Sequence, residues 1–172
     1  MSEYIIRRML KTDAEAYRTL RLQALKTNPE AFGSSYEESV EQDLGFYRGR
    51  IPEENSDSLI FVVEKEGQFF GMMGFLRSER RKQAHSATIW GVFVASELRG
   101  KGYGYKLMDA VMTHARQLDG LRKIGLSVIA DNTAALKLYQ SFGFEIWGTE
   151  PEGNKVDDIF YDYHHMICRL HS

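Results

Sequence analysis

The sequence has little of what would divide it, cross-link it or anchor it. Its 172 residues include one cysteine, Cys168, which excludes an internal disulfide and suits a reducing compartment. It has only 3 prolines and no Gly/Ser-rich tract, repeat or low-complexity segment, so nothing reads as a linker and residues 1–172 are expected to form one domain. No apolar run approaches the roughly 20 residues a membrane helix needs, and the segment Met1 to Arg8 lacks the apolar centre of a signal peptide. A cytoplasmic location without membrane contact is therefore expected. Charge of one sign is also scarce: a formal net charge of −2 leaves no basic face for nucleic acid, although a local basic pocket for phosphate is compatible with it. What the chain does have is 43% hydrophobic residues, enough for an ordinary buried core.

Periodicity divides the chain into elements. Tyr4–Arg7 reads as a first strand, and Thr12–Glu15 has capping-box spacing ahead of Tyr17, Leu20, Arg21, Ala24 and Leu25 at helical intervals, ended by Pro29. Ser35–Glu38 repeats the capping-box spacing and opens a second, shorter helix. Leu59–Glu64, Phe69–Leu76 and Ala87–Val94 predict a three-strand antiparallel meander. A helix from about Gly102, a strand at Ile124–Ile129, a helix beginning at Asn132 and stopped by Gly143, and closing strands at Phe144–Gly148 and Phe160–Leu170 follow. The expected fold class is α/β, a mixed sheet with helices on both faces. Gly148 to Ile159 reads as a long loop.

The most informative stretch is Val92-Phe93-Val94-Ala95-Ser96-Glu97-Leu98-Arg99-Gly100-Lys101-Gly102-Tyr103-Gly104. A strand ends, and alternating glycines open a helix. Amides without bulky side chains can wrap an anion there, the helix N-terminus contributes about half a positive charge, and Arg99 and Lys101 contribute whole ones. Two other phosphate loops fit less well: the dinucleotide fingerprint needs a third glycine where Tyr105 stands, and the Walker loop needs Gly-Lys followed by Ser or Thr, whereas Lys101 precedes Gly102. The bland alternative is a set of glycines that only ends a strand and starts a helix.

Arg99–Gly104 resembles the Arg-x-x-Gly-x-Gly signature of the GNAT superfamily of N-acetyltransferases, and Asn132–Phe144 resembles its second signature, Asn-x-x-Ala-x-x-x-Tyr-x-x-x-Gly-Phe, in the same order and context. The resemblance implies a mostly antiparallel central sheet that splits between the strand ending at Val94 and the strand at Ile124–Ile129. It implies acetyl-CoA as co-substrate and no metal. The pyrophosphate would rest on the loop Arg99, Gly100, Lys101, Gly102, Tyr103 and Gly104. The pantetheine arm would pair with Val92, Phe93 and Val94, beside Asn132 and Ala135, and Tyr139 would face the sulfur. It further allows a homodimer.

Acetyl transfer to a primary amine asks for a proton donor to the leaving thiolate, and Tyr139 is the candidate; its alternative role is that of a core aromatic. A backbone N–H near Val94 is the candidate for stabilising the oxyanion. The base is open, because the strand Ala87–Val92 carries no carboxylate; Glu37, Glu38 and His85 are candidates acting through water. Phe32, Tyr36, Glu37 and Trp90 are candidates for the acceptor pocket, with Asp157, Asp158, Tyr161 and Asp162 as groups able to draw in a cationic amine. The basic run Arg77, Arg80, Arg81, Lys82 reads as a solvated loop or as a contact for an acidic partner or the ribose phosphate. His164, His165, His171 and Cys168 do not read as a metal site, since adjacent strand residues face apart and His164 and Cys168 stand about 13 Å from one another at strand rise. Acetylation of a small-molecule amine is the leading function. Acetylation of a protein lysine or N-terminus, and non-catalytic acyl-CoA binding, are the alternatives.

Overall fold

The computed structural model describes residues 3–170. Its strands are β1 (Ile5–Arg8), β2 (Leu59–Lys65), β3 (Gln68–Arg77), β4 (Ser86–Val94), β5 (Lys123–Ile129), β6 (Glu145–Val156) and β7 (Ile159–Arg169). Its helices are α1 (Ala14–Thr27), α2 (Tyr36–Val40), α3 (Leu44–Arg50), α4 (Tyr103–Arg116) and α5 (Thr133–Ser141). The sheet runs β1-β2-β3-β4-β5-β7-β6, antiparallel at every pairing except β4–β5.

Alternation in the strands builds two apolar layers. Leu59 and Val63 of β2 face α4, whose Leu107, Met108, Val111, Met112 and Ala115 are buried, while Ile60 and Val62 face Tyr17, Leu20 and Ala24 of α1. In β4 the parity breaks: Ile89 belongs to the α4 layer, but Phe93, four residues on, belongs to the α1 layer. The cause is a β-bulge. Trp90 pairs with Gly74 and Phe93 with Met72, so Gly91 and Val92 together oppose Met73, and Gly91 takes φ 63°. Glycine is also required across the ladder, where a Cβ on Gly74 would overlap the Trp90 indole.

The β4–β5 pairing is short. It joins Ser86, Ala87 and Thr88 to Lys123, Ile124 and Gly125, and there it stops. From Ile89 to Val94 the strand continues without β5, while β5 stays with β7 as far as Ile129 opposite Tyr163. The sheet is therefore split on the side where β4 runs into the glycine loop.

Three elements differ from expectation. Asp13, rather than Thr12, organises the entry to α1: its carboxylate accepts from Leu10 N–H at 2.7 Å and holds the Arg7 guanidinium at 2.8 and 3.0 Å. Charge-assisted bonds of this kind outweigh a neutral hydroxyl cap. Helix α3 follows the Asp43 cap, whose Oδ1 accepts from Phe46 N–H at 2.8 Å, and its glycines at 45 and 49 mask it in the sequence. The expected loop from Gly148 to Ile159 is instead the far half of a β6–β7 hairpin turning at Asp157, which adopts φ 53°. Pro151 and Gly153 hid it: they lie in a register break between Glu150 and Asn154 on an edge strand, where such residues are tolerated. The Ser35–Glu38 capping box forms as expected, with Glu38 N–H donating to Ser35 Oγ at 3.1 Å.

Candidate active site

The split in the sheet opens a cleft of about 780 Å³. One wall is β4 from Ile89 to Val94, the other is Leu126–Ile129 of β5, and the far end is closed by the glycine loop and α5. Ala95 N–H bonds Phe70 O across β3 at 2.8 Å, so the alternate residue, Val94, turns its backbone groups toward the cleft. The Val94 carbonyl accepts Arg99 Nε–H at 3.0 Å, and Arg99 Nη2 reaches Asn28 Oδ1 at 2.6 Å. Arg99 thus braces the loop against the end of β4.

In the loop, Gly100 and Gly102 adopt φ 73° and 83°, and a Cβ on either would meet nothing within 4 Å, so the ligand side is open. Arg99 and Lys101 use their own N–H groups in turns to Ser96 O and Leu98 O. The first helical bond of α4 is Lys106 N–H to Gly102 O at 3.0 Å. The amides of Gly102, Tyr103, Gly104 and Tyr105 therefore lack helical acceptors and stand at the positive end of a 14-residue helix. Gly104 lets α4 lie close to α5, since a Cβ there would be 3.3 Å from Leu138 Cδ2. Among the cleft residues, Asn132 caps α5, with Oδ1 accepting from Ala135 N–H at 3.2 Å.

Tyr139 lines the same cleft from the α4 side of the sheet, 5% exposed, its ring tilted against Phe144. Burial pushes its phenol well above the ordinary value. On the opposite, α1 side, a second hollow of about 400 Å³ joins the cleft along Ile89–Gly91 and Ser127. Phe32 and Trp90 border both spaces. Asn154 of the β6–β7 hairpin ties down one rim, donating to Glu30 O and Phe32 O at 3.0 Å each.

Two features of this hollow carried no clear signal in the sequence. Arg21, on the inner face of α1, is 7% exposed and its Nη1 has no hydrogen-bond partner. Burial draws its guanidinium below the ordinary value, and the positive charge of Arg50 acts in the same direction. On the other wall His165 is held at both nitrogens: Nδ1 lies 2.7 Å from Ser127 Oγ and Nε2 lies 2.8 Å from Glu150 Oε2. The only sign of Arg21 was a cation among the apolar positions of α1. For His165 it was alternation along β7, which separates it from His164.

The model of the acetyltransferase (GNAT) family matches residues 18–144. The chain belongs to that family. The spermine/spermidine N(1)-acetyltransferase of Bacillus subtilis (strain 168) is 33% identical over 90 residues, 51% of this chain and 59% of that protein. The chain thus spans well under two thirds of that relative's length. The L-amino acid N-acetyltransferase of Escherichia coli (strain K12) is 26% identical over 166 residues, 96% of this chain and 98% of that one. A Salmonella typhimurium structure solved with its cofactor acetyl-CoA shares the fold, with a TM-score of 0.78 at 21% identity over 99% of this chain and 96% of its own.

Against the GNAT frame, the other sequence candidates fall in different places. Tyr36 and Glu37 are absent from the lining of both spaces; Tyr36 lies beneath Lys26, and Glu37 is exposed on α2. Glu38 serves the helix cap. His85 precedes β4 at the end away from the cleft, where its carbonyl accepts from Arg122 N–H. Arg77 is a brace at that same end, bonded to Asp57, Ala84 O and Asp119 O. Tyr161 lines the cleft, whereas Asp157 and Asp158 form the hairpin turn and Asp162 accepts from Glu152 N–H. His164 bonds Thr149 and Cys168 is buried beside Phe142, while His171 lies outside the described residues. Among the described residues no helix is long and apolar enough to cross a membrane.

Proposed function

We propose that the chain transfers the acetyl group of acetyl-CoA to the primary amine of a small molecule. The observation that carries this reading is the split sheet: an unpaired β4 edge leads through the glycine loop to amides at the start of α4, with a buried tyrosine on one side and an open hollow on the other. An extended pantetheine fits the free edge at Val92–Val94 as an added strand, and a pyrophosphate fits the amides of Gly102–Tyr105. Acetyl-CoA supplies an activated thioester there.

The chain's residues divide the remaining work by side of the sheet. The hollow lined by Phe32 and Trp90 receives the amine. A new N–C bond forms as the S–C bond breaks, and the acyl oxygen gains negative charge. The Val94 N–H faces that oxygen. The amine's proton passes to His165, which Glu150 and Ser127 orient. The departing thiolate takes a proton from Tyr139 Oη on the opposite side. That phenol is protonated at neutral pH, as a donor must be. The Asn154 tie, which fixes one rim of the hollow, supports a small acceptor over a peptide.

A thiol-release assay with acetyl-CoA and a panel of polyamines, amino acids, aminoglycosides and peptides tests the reading. Turnover with a small amine is expected. Coenzyme binding by calorimetry without thiol release from any amine would sink it and leave an acyl-CoA binding module.

A further inference from the structure

Arg21 is the one charged residue that is buried among the described residues, and nothing in the fold neutralises it. Its neighbours on α1's inner face, Tyr17, Leu20, Ala24 and Leu25, are the core of the α1 layer. A guanidinium in that position normally meets a carboxylate, because a buried charge is retained when it is paired. Here the ionisable groups that act on it are Tyr17, Arg50 and Tyr47, and no carboxylate is among them. Nη1 has no hydrogen-bond partner, and neither does the Tyr17 hydroxyl one helical turn earlier. The Phe32 ring, 4.6 Å below the guanidinium, covers its face but accepts none of its N–H groups. Orphaned buried donors of this kind call for an explanation beyond packing.

Their position supplies one. A Cβ built on Gly91 would lie 3.9 Å from Arg21 Nη1, so the guanidinium tip sits beneath the β4 bulge, where the hollow meets the thioester end of the cleft. A second cation borders the same region, because the Arg50 guanidinium lies over the Trp90 ring at 5.2 Å. Two like charges converge with no anion between them. The carboxylate that does line the hollow, Glu150, stands on its far wall and is paired with His165.

We propose that Arg21 anchors the carboxylate of the acceptor, so that the acceptor is an amino acid, its amine turned to the thioester and its side chain lying against Phe32 and Trp90. This rests on the acetyltransferase reading and adds the substrate class to it. A planar guanidinium offers a carboxylate two parallel N–H donors. A polyamine entering the same hollow would meet the Arg21 cation, with no carboxylate beside it, and be repelled.

The test uses three acceptors that share one apolar side chain: the L-amino acid, its carboxamide and its decarboxylated amine. With the wild-type enzyme, kcat/KM in thiol release is expected to be about 100-fold higher for the acid than for either analogue lacking the carboxylate, the scale on which a buried charge pair counts. Arg21→Gln is expected to remove that preference, chiefly by lowering kcat/KM for the acid, while calorimetric binding of acetyl-CoA is retained. Arg21→Lys, which keeps the charge, is expected to restore part of it. Should Arg21→Gln fold poorly, the wild-type comparison still decides. Equal turnover of acid and amine by the wild type, or an acid preference that survives Arg21→Gln, overturns the proposal and leaves acetyl transfer standing. No thiol release from any acceptor overturns both.

Discussion

Exchanging Tyr139 for phenylalanine removes one hydroxyl and keeps the ring that packs against Phe144. If that hydroxyl protonates the leaving thiolate, turnover should fall by about 10²–10⁴-fold, which is about 3–5 kcal/mol of barrier. Coenzyme affinity should hold, because the loop amides and the β4 edge are untouched. The assay is thiol release at saturating acetyl-CoA, with calorimetric coenzyme binding beside it. A second readout separates burial from chemistry. The phenol is 5% exposed and burial raises it above its ordinary value of 10.0. Above that pH the unfolded chain loses the proton while the folded chain keeps it. Stability of the wild type should therefore fall, by about 1.4 kcal/mol per pH unit relative to the phenylalanine variant, until the folded value is reached. The variant should resist alkali better. An unchanged turnover number together with that alkaline difference would refute the donor role and leave Tyr139 as a buried aromatic.

Gly102→Ala forces a side chain into φ 83°; it should cost about 1 kcal/mol of stability and raise the KM for acetyl-CoA about tenfold with turnover held, and an unchanged KM would argue against the loop as the diphosphate seat. His165→Gln keeps a polar group between Ser127 and Glu150 but removes the proton acceptor; turnover should fall about 100-fold or more with coenzyme affinity intact, and full activity would exclude His165 from the amine's proton path. At the other side of the fold, Asp13 feels burial, which raises it, but bonds from Arg7 and Leu10 N–H outweigh that and leave it below its ordinary 3.8. Glu64 is lowered from 4.5 by Arg7 and Gly67 N–H. Their contribution to stability is complete above the unfolded values and disappears as pH falls through the lowered folded ones. Arg7→Met should thus be less stable than wild type in urea melts at neutral pH, with the difference shrinking toward about pH 3; a difference independent of pH would show that the pair is not what Arg7 supplies.

Much of the fold was readable where a single segment decides its own conformation. The Ser35–Glu38 cap, the start of α4 after Gly102 and the stop of α5 at Gly143 depend on residues within a few positions of one another. The failures came mostly where another element decides. The Thr12 cap lost to Asp13 because Arg7, on a neighbouring strand, made the carboxylate the stronger acceptor. The far half of β6 was hidden by Pro151 and Gly153, whose tolerance depends on an edge position that no local pattern reports. Helix α3 was masked by two glycines inside seven residues.

By itself, then, the sequence determined the glycine loop and the Asn132-capped helix α5, because glycine conformations, exposed amides and capping are properties of consecutive residues. Which side chains line the hollow was decided only by tertiary structure. Tyr36 and Glu37 are near Phe32 in the chain yet lie away from the hollow, whereas Arg21, Trp90, Ser127, Glu150 and His165 converge on it from five elements. The bulge at Gly91 turns β4 over, and the early end of β4–β5 pairing opens the sheet. Both depend on strand register, which arises from contacts between segments far apart in the chain.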